Sequence, residues 1–307
     1  MKIVSLFSGA GGLDLGLIKT GHEIIWANDF DADSCDTYRL NIGDHIVCND
    51  IAKIKLDEIP NCDVVIGGFP CQGFSLANML READDERNKL YRQFYRIIKG
   101  KKPDYFIAEN VRGILSLDNG NVIKKIVKDF SAAGYRVKYK AFNTADFGVP
   151  QTRVRVIIAG TRKDLPEEMD FQFPEPTHDK KSWVSISKAL KGIPEPEDEK
   201  SKLKNHIYSR YKITNRNFTG HRETDPNKPS PTILARGNGK GGVCAIQHPK
   251  NHRRMSVRES ALVQTFPIDF EFVGSMGSMY RQVGNAVPVL FGQQLGNKLK
   301  ELESILV

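Results

Sequence analysis

No two cysteines in this chain have C-x-x-C spacing, and there are only five: Cys35, Cys48, Cys62, Cys71 and Cys244. An odd count without paired spacing excludes a disulfide scaffold and gives no zinc-ligand pattern, so no metal site is expected. In a reducing compartment each is a free thiol that needs its own explanation. Long apolar runs are missing as well. None approaches the ~18 residues that span a bilayer, so no membrane association is expected. The N-terminal "MKIVSLFSGAGG" has a basic residue and an apolar run of about five residues, but glycines end it before any small-residue cleavage site, which excludes a secretory signal. There are no internal repeats. The expectation is a globular protein of the cytoplasm. Its 40% hydrophobic and 27% charged residues are ordinary values. A chain of 307 residues suits one large domain, or a large one with a small one.

Charge is present but unevenly placed. The net charge is +8, and residues 178–258 hold 18 Lys and Arg against 7 Asp and Glu. The rest of the chain is slightly acidic. Five of the seven histidines fall in the same stretch. Clustered positive charge is the footprint of a polyanion partner, most often nucleic acid, with a solvated surface region as the alternative.

Residues 1–160 alternate strand and helix patterns. "KIVSLF" (2–7), "EIIWAN" (23–28), "HIVCND" (45–50), "CDVVIGG" (62–68), "DYFIAEN" (104–110), "RVKYKAF" (136–142) and "RVRVIIAG" (153–160) read as strands. "LDLGLIKT" (13–20), "DADSCDTYRLN" (31–41), "NKLYRQFYRIIKG" (88–100) and "GNVIKKIVKDFSAAGY" (120–135) read as helices. The expectation is an α/β, doubly wound, mostly parallel sheet with helices on both faces, binding its ligand beyond the carboxyl ends of the strands. The pattern stops near Pro174–Pro176. From there to about Ser256 the chain is rich in Pro, Gly, Asn, Lys and Arg, with weak strands at best in "SPTILAR" and "GGVCAIQ". "EPEDEKSKLK" (195–204) reads as loop. The apolar pattern returns near Arg258, and "NAVPVLFGQQLGNKLKELESIL" (285–306) reads as a closing helix.

Chemistry-bearing residues sit at the predicted strand ends. "FSGAGGLDLG" (7–16) follows the first strand and opens a helix. Its glycines allow close backbone approach to a ligand, or serve the turn alone. The spacing is not G-x-G-x-x-G, because Asp14 stands where the third glycine would fall. Asp29 ends the second strand, where a ribose hydroxyl would be held, and Asp50 the third, where an adenine amino group would be met. Together they fit an adenosine-containing ligand without a pyrophosphate. In "GGFPCQGFS" (67–75), Cys71 follows Pro70 on a glycine-rich turn at the carboxyl end of the fourth strand, the exposed setting a thiol nucleophile needs. Glu109 ends the next strand, placed either to share a proton with a ring nitrogen or to cap a helix. Arg153 and Arg155 project to one face of their strand, suiting a phosphate or a polarised carbonyl, or else a half-exposed edge.

These motifs, with "RESALVQTFP" (258–267) and "QVGNAVPV" (282–289), resemble those of the DNA cytosine-5 methyltransferases, compact bacterial type, in that family's order. The resemblance covers nearly the whole chain apart from the basic insert. It implies an S-adenosylmethionine-dependent, Rossmann-like catalytic domain over 1–177 and 281–307. It implies a smaller, loop-rich target-recognition domain and hinge over 178–280. Phe7, Gly9, Gly11, Leu13, Asp29, Asp50, Ile51, Leu90 and Asn285 would hold S-adenosylmethionine. Asp29 stands where many members carry Glu. Cys71 would be the nucleophile, Glu109 the acid that holds cytosine N3, and Arg153 and Arg155 part of the base pocket. Gln72, Ser75, Thr232, Arg236 and Lys240 would face DNA, and "SLANMLREADDERNK" (75–89) would be a mobile loop closing over the base.

The implied reaction is methyl transfer to C5 of a cytosine in a specific duplex sequence. The base is flipped out and C6 is bonded to Cys71. The implied setting is restriction–modification, with a monomeric enzyme in a bacterial cytoplasm. A transfer-RNA cytosine methyltransferase of the same fold is the alternative, although the Cys-Phe-Thr tripeptide of that branch is absent and "NFTG" (217–220) is the nearest approach. An inactive DNA-binding protein on the same scaffold would leave motif positions unfilled. A NAD-dependent oxidoreductase conflicts with the glycine spacing.

Overall fold

The computed structural model describes residues 1–69, 89–198, 201–210, 224–235, 246–250 and 253–306. Cys71, Gln72, Ser75, Arg236, Lys240, Cys244 and nearly all of the expected loop 75–89 lie outside these residues.

Seven strands form one sheet: β1 (Lys2–Leu6), β2 (Glu23–Asp29), β3 (Ile46–Cys48), β4 (Val64–Gly67), β5 (Tyr105–Val111), β6 (Tyr135–Asn143) and β7 (Val154–Arg162), in the order β3-β2-β1-β4-β5-β7-β6. The ladders from β3 to β5 are parallel, and β7 is antiparallel to both its neighbours. The chain therefore winds outward one way from β1 to β3, then outward the other way from β4. That switch leaves a crevice beyond the carboxyl ends of β1 and β4. β7 is an interior strand, so Arg153 and Arg155 do not sit on an edge.

Burial explains why these runs are strands. β1 and β4 are covered on both faces, as parallel strands under two helical layers must be. Alternate residues feed opposite cores. Ile3, Val64, Ile66, Tyr105 and Ile107 join one cluster with Leu17 of α1 (Gly12–Ile18) and with Phe291, Leu295 and Leu299. Val4, Val65 and Phe106 join the other with Phe94, Ile97 and Ile98 of α3 (Lys89–Lys101) and Ile126 and Phe130 of α4 (Asn121–Ala132). The helix expected over 88–100 thus turns Phe94, Ile97 and Ile98 into this core. The helix α2 (Ala32–Asn41) starts at Asp31, whose carboxylate accepts from Ser34 N.

A third core lies beyond the sheet. Ile186 and Leu190, at the short helix α5 (Ile186–Ala189), pack with Ile233, Met255, Phe266, Phe270 and Phe272 and with α6 (Val257–Val263). Val283 of α7 (Met276–Asn285) and Val289, the first residue of α8 (Val289–Leu306), belong to it too, so it straddles position 281. Where the weak strands were expected, the described residues show single bridges, Gln151 with Ser230 and Gln247 with Arg254. The expected closing helix, 285–306, is found as α8 from Val289, with Asn285 belonging to the helix before it. α7 ends at Asn285, Ala286 is extended, and Pro288 keeps the preceding residue out of the helical region. Among the described residues no helix is long and apolar enough to cross a membrane.

Candidate active site

The crevice is a cavity of ≈ 760 Å³, within the range of small-molecule sites. Its walls come from the turn after β1 (Phe7, Ser8, Gly9, then Leu13 and Asp14), the end of β2 (Asp29, Phe30) and the end of β4 (Gly67 to Phe69). Glu109, Arg153, Arg155, Leu234, Ala235 and the α7–α8 junction around Asn285 complete it, with Leu90 of α3.

The glycine-rich turn is built around Asp29. Gly9, at φ 55, donates its N–H to Asp29 Oδ2 at 2.8 Å, and Asp31 N donates to Oδ1 at 2.9 Å. Burial lifts the Asp29 carboxyl above its ordinary range, and these two N–H groups work against that rise. Each oxygen keeps a lone pair for a ligand hydroxyl. Beside it, Phe30 is 72% exposed and offers an apolar ring at the cavity. Phe7 sits at φ 55, a left-handed conformation uncommon outside glycine. Asp14 is buried, accepts from Ser5 Oγ and Tyr38 Oη at 2.9 Å each, and is lifted by burial to about 6. His45 Nε2 lies 3.1 Å from the same tyrosine hydroxyl.

Glu109 and Arg155 meet because β5 and β7 are antiparallel neighbours. Val111 faces Arg155 in the ladder and Glu109 faces Ile157, so Glu109 and Arg155 are diagonal on one face. Arg155 Nε lies 2.6 Å from Glu109 Oε1, with both side chains largely buried. Oε2 is turned towards Gly68, where an added Cβ would come within 3.0 Å. Arg153 reaches the same cavity, but Nη1 donates to Ile233 O at 2.9 Å and Nη2 to Gly284 O at 3.0 Å.

Asn110 holds the chain that leads towards Cys71. Its Nδ2 donates to Phe69 O at 2.9 Å, and the Phe69 ring packs edge-on to Tyr91 and tilted to Phe94. At the cavity rim Arg281 of α7 pairs with Asp31 at 2.9 Å.

The structure thus brings together Phe7, Gly9, Leu13, Asp29, Leu90, Asn285, Glu109, Arg153 and Arg155. It does not bring Asp50, Ile51 or Gly11 to the cavity wall. Asp50 Oδ1 accepts from Ala52 N and caps a turn, and Ile51 is buried in the α3-side core. Gly11 opens α1 at φ 83, where a Cβ would strike Ile42. Thr232 Oγ1 donates to Thr152 O at 2.7 Å, so that hydroxyl is taken by the chain itself. Phe30, Asp14, Asn110, Arg281 and Leu234 were not singled out from the sequence. Phe30 and Asn110 carried a signal, since each directly follows an acidic residue at a predicted strand end.

The arrangement suits a nucleoside ligand on the Asp29–Phe30 side and a polar heterocycle on the Glu109–Arg155 side. The model of the C-5 cytosine-specific DNA methylases matches residues 1–301. Among similar proteins, the type II methyltransferase M.NgoFVII of Neisseria gonorrhoeae is 41% identical, covering 94% of this chain and 83% of its own. M.MthTI of Methanothermobacter thermautotrophicus, also a type II methyltransferase, is 38% identical over 100% of this chain and 99% of its own. The crystal structure of the S. pombe Dnmt2 methyltransferase superposes with a TM-score of 0.74 at 19% identity, covering 100% and 99% of the two chains, which is a likeness of fold.

Proposed function

The chain belongs to the C-5 cytosine-specific DNA methylase family, whose activity is methyl transfer from S-adenosylmethionine to cytosine C5, and we propose that it does this within a specific duplex DNA sequence, using Cys71 as nucleophile. The observation that carries the reading is one cavity with Asp29 and Phe30 at one wall and the Glu109–Arg155 pair at another.

The residues fit the cofactor. Asp29 has acceptor capacity left for the ribose hydroxyls, and the exposed Phe30 ring offers the adenine a stacking surface. Phe7, Gly9, Leu13, Leu90 and Asn285 line the remainder. When bound, S-adenosylmethionine supplies an electrophilic methyl group on a sulfonium centre.

The chain's own residues prepare the acceptor. C5 of cytosine is a poor carbon nucleophile. A thiolate at Cys71 bonding to C6 makes C5 an enamine carbon. Glu109 holds a proton at N3 as electron density moves into the ring, and Arg155 keeps that carboxyl in place through Oε1. Loss of the C5 proton and expulsion of the thiolate then restore the ring. A free thiol near pKa 8.5 is only a few per cent ionised at pH 7, and lowering it by ~1.5 units needs about 2 kcal/mol, within reach of nearby cationic groups and backbone N–H donors. The base must leave the duplex to reach this cavity, at a cost of a few kcal/mol.

Residues 1–177 and 281–307 form the catalytic part, and 178–280 the target-recognition part and hinge, where the basic excess lies. On this reading the enzyme acts as a monomer on duplex DNA in the cytoplasm and serves as the methylase of a restriction–modification system.

Cys71→Ser tests the assignment. Methylation of DNA from labelled cofactor is expected to be lost while DNA and cofactor binding persist. Near-normal turnover would remove Cys71 from the mechanism, and label incorporated into transfer RNA but not DNA would refute the substrate.

A further inference from the structure

We infer that Gln151, Gln264 and Arg153 are positioning residues that clamp the segment 230–235 to both halves of the catalytic part, so that Leu234 and Ala235 complete the cavity wall. The inference rests on the reading of 178–280 as the target-recognition part.

The grip centres on one residue. Ile233 N donates to Gln151 Oε1 at 2.8 Å, and Ile233 O accepts from Arg153 Nη1 at 2.9 Å. Both backbone groups of Ile233 are thus held by side chains from the segment just before β7. The same side chains reach the C-terminal part. Gln151 Nε2 donates to Gln264 Oε1 at 2.7 Å, and Gln264 Nε2 donates to Val283 O at 2.7 Å and Ala286 O at 3.2 Å. Arg153 Nη2 donates to Gly284 O. Backbone bonds between Thr152 and Ser230, and between Ser230 and Pro150, fasten the segment upstream.

Burial makes these contacts matter. Gln151 and Gln264 have no exposed surface and Arg153 only 1%. A buried amide or guanidinium group with a missing partner is costly, so the two glutamine amides and both Arg153 Nη groups are tied to their present partners, while Arg153 Nε is buried without one. A guanidinium buried on carbonyls, with its neighbour Arg155 repelling it, is a poor choice for stability alone. What it achieves is a fixed distance between three segments far apart in sequence. Gly284 completes the fit. A Cβ there would stand 2.4 Å from Ala235 N, so a glycine is needed for the segment to lie this close to α7.

The consequence is that Leu234, 45% exposed, is presented at the cavity by a rigid joint. Whatever DNA contacts the recognition part makes are held at a set distance from the Glu109–Arg155 pair. Loosening the joint should separate site reading from chemistry.

Two variants test this in the full chain: Arg153→Lys, whose single ammonium cannot satisfy both carbonyls in the same geometry, and Gln151→Met, which keeps the volume and loses both grips. S-adenosylmethionine affinity by calorimetry is expected to stay within about twofold of wild type. With two buried groups left unpaired, kcat on duplex DNA should fall about 10- to 100-fold, with a much smaller change in KM for DNA. Bisulfite sequencing of a methylated plasmid pool should show methylation at single-base-changed sites rising about fivefold relative to the full site. An unchanged site ratio with wild-type kcat in both variants would overturn the clamp. So would loss of cofactor affinity in step with activity, or loss of folding in both, since the residues would then only hold the fold. A wild-type chain that methylates no DNA would instead overturn the proposed function.

Discussion

Replacing Asp14 by Asn should make the protein's stability less dependent on pH, and the size of the effect can be worked out. Asp14 lies in the first turn of α1, buried beneath the cavity, and burial lifts its carboxyl from the ordinary 3.8 to about 6 despite bonds from Ser5 and Tyr38. The folded state therefore holds a proton between those two values that the unfolded chain has released. Stability falls as pH rises through that window, because the unfolded state binds fewer protons. The whole loss is about 3 kcal/mol, at ~1.4 kcal/mol per pK unit. About 2 kcal/mol of it falls between pH 4.5 and pH 8 by the same linkage relation. Asn cannot ionise, so it escapes this loss. Urea unfolding of both proteins without cofactor, at several pH values across that range, should show the variant gaining about 2 kcal/mol on wild type towards pH 8. Any fixed offset reports altered hydrogen bonds to Ser5 and Tyr38. A gap that does not change with pH would refute the argument. A variant that loses ground on wild type as pH rises would mean that the two hydroxyl bonds outweigh burial. Tyr38→Phe removes one bond that favours the ionised form, so it should move the window to higher pH.

Other perturbations address the cavity and its partner. Phe30→Ala should weaken S-adenosylmethionine binding by up to about tenfold, the value of ~0.5–1.5 kcal/mol for a ring contact, with little change in melting temperature; unchanged affinity by calorimetry would exclude the ring from the site. Asn110→Ala strips the bond to Phe69 O and leaves a buried carbonyl unpaired, so unfolding should cost about 1–3 kcal/mol less; chemical denaturation checks this, and a loss under ~0.5 kcal/mol would mean that another donor replaces Asn110. Neutralising Arg236 or Lys240 should weaken DNA binding, with the salt dependence shallower by about one ion, or change site choice, and leave cofactor affinity alone; a fall in cofactor affinity would refute the division of the chain at 178.

The alternation of apolar runs from β1 to β7 was legible because a parallel sheet buried on both faces demands continuous apolar strands, and the α3 and α4 helices carry plain 3.6-residue faces. Strand ends were legible for the same reason. Asp29, Glu109 and Arg155 each sit where a strand meets the crevice, and the structure brings them to one cavity. Asp50 shows the limit. It follows the end of β3 by two residues, and its carboxylate turns back to cap the next turn. The closing helix was read as starting at Asn285 because its apolar spacing extends back across Ala286–Pro288, although the proline delays the helical backbone to Val289.

The residues after Pro176 were hardest to read. Their third core is assembled from short pieces, Ile186, Ile233, Met255 and Phe266 among them, that show no periodicity along the chain. Local pattern settles which segments become strands and helices, and which chemical groups stand at their ends, because those depend on neighbours within a few residues. The partners of buried polar groups depend on how distant segments pack. Gln151 with Gln264, Arg153 with Ile233 and Gly284, and Asp14 with Tyr38 are pairings of that kind. Only the folded chain decides them, since a buried donor takes whichever acceptor the packing brings within reach.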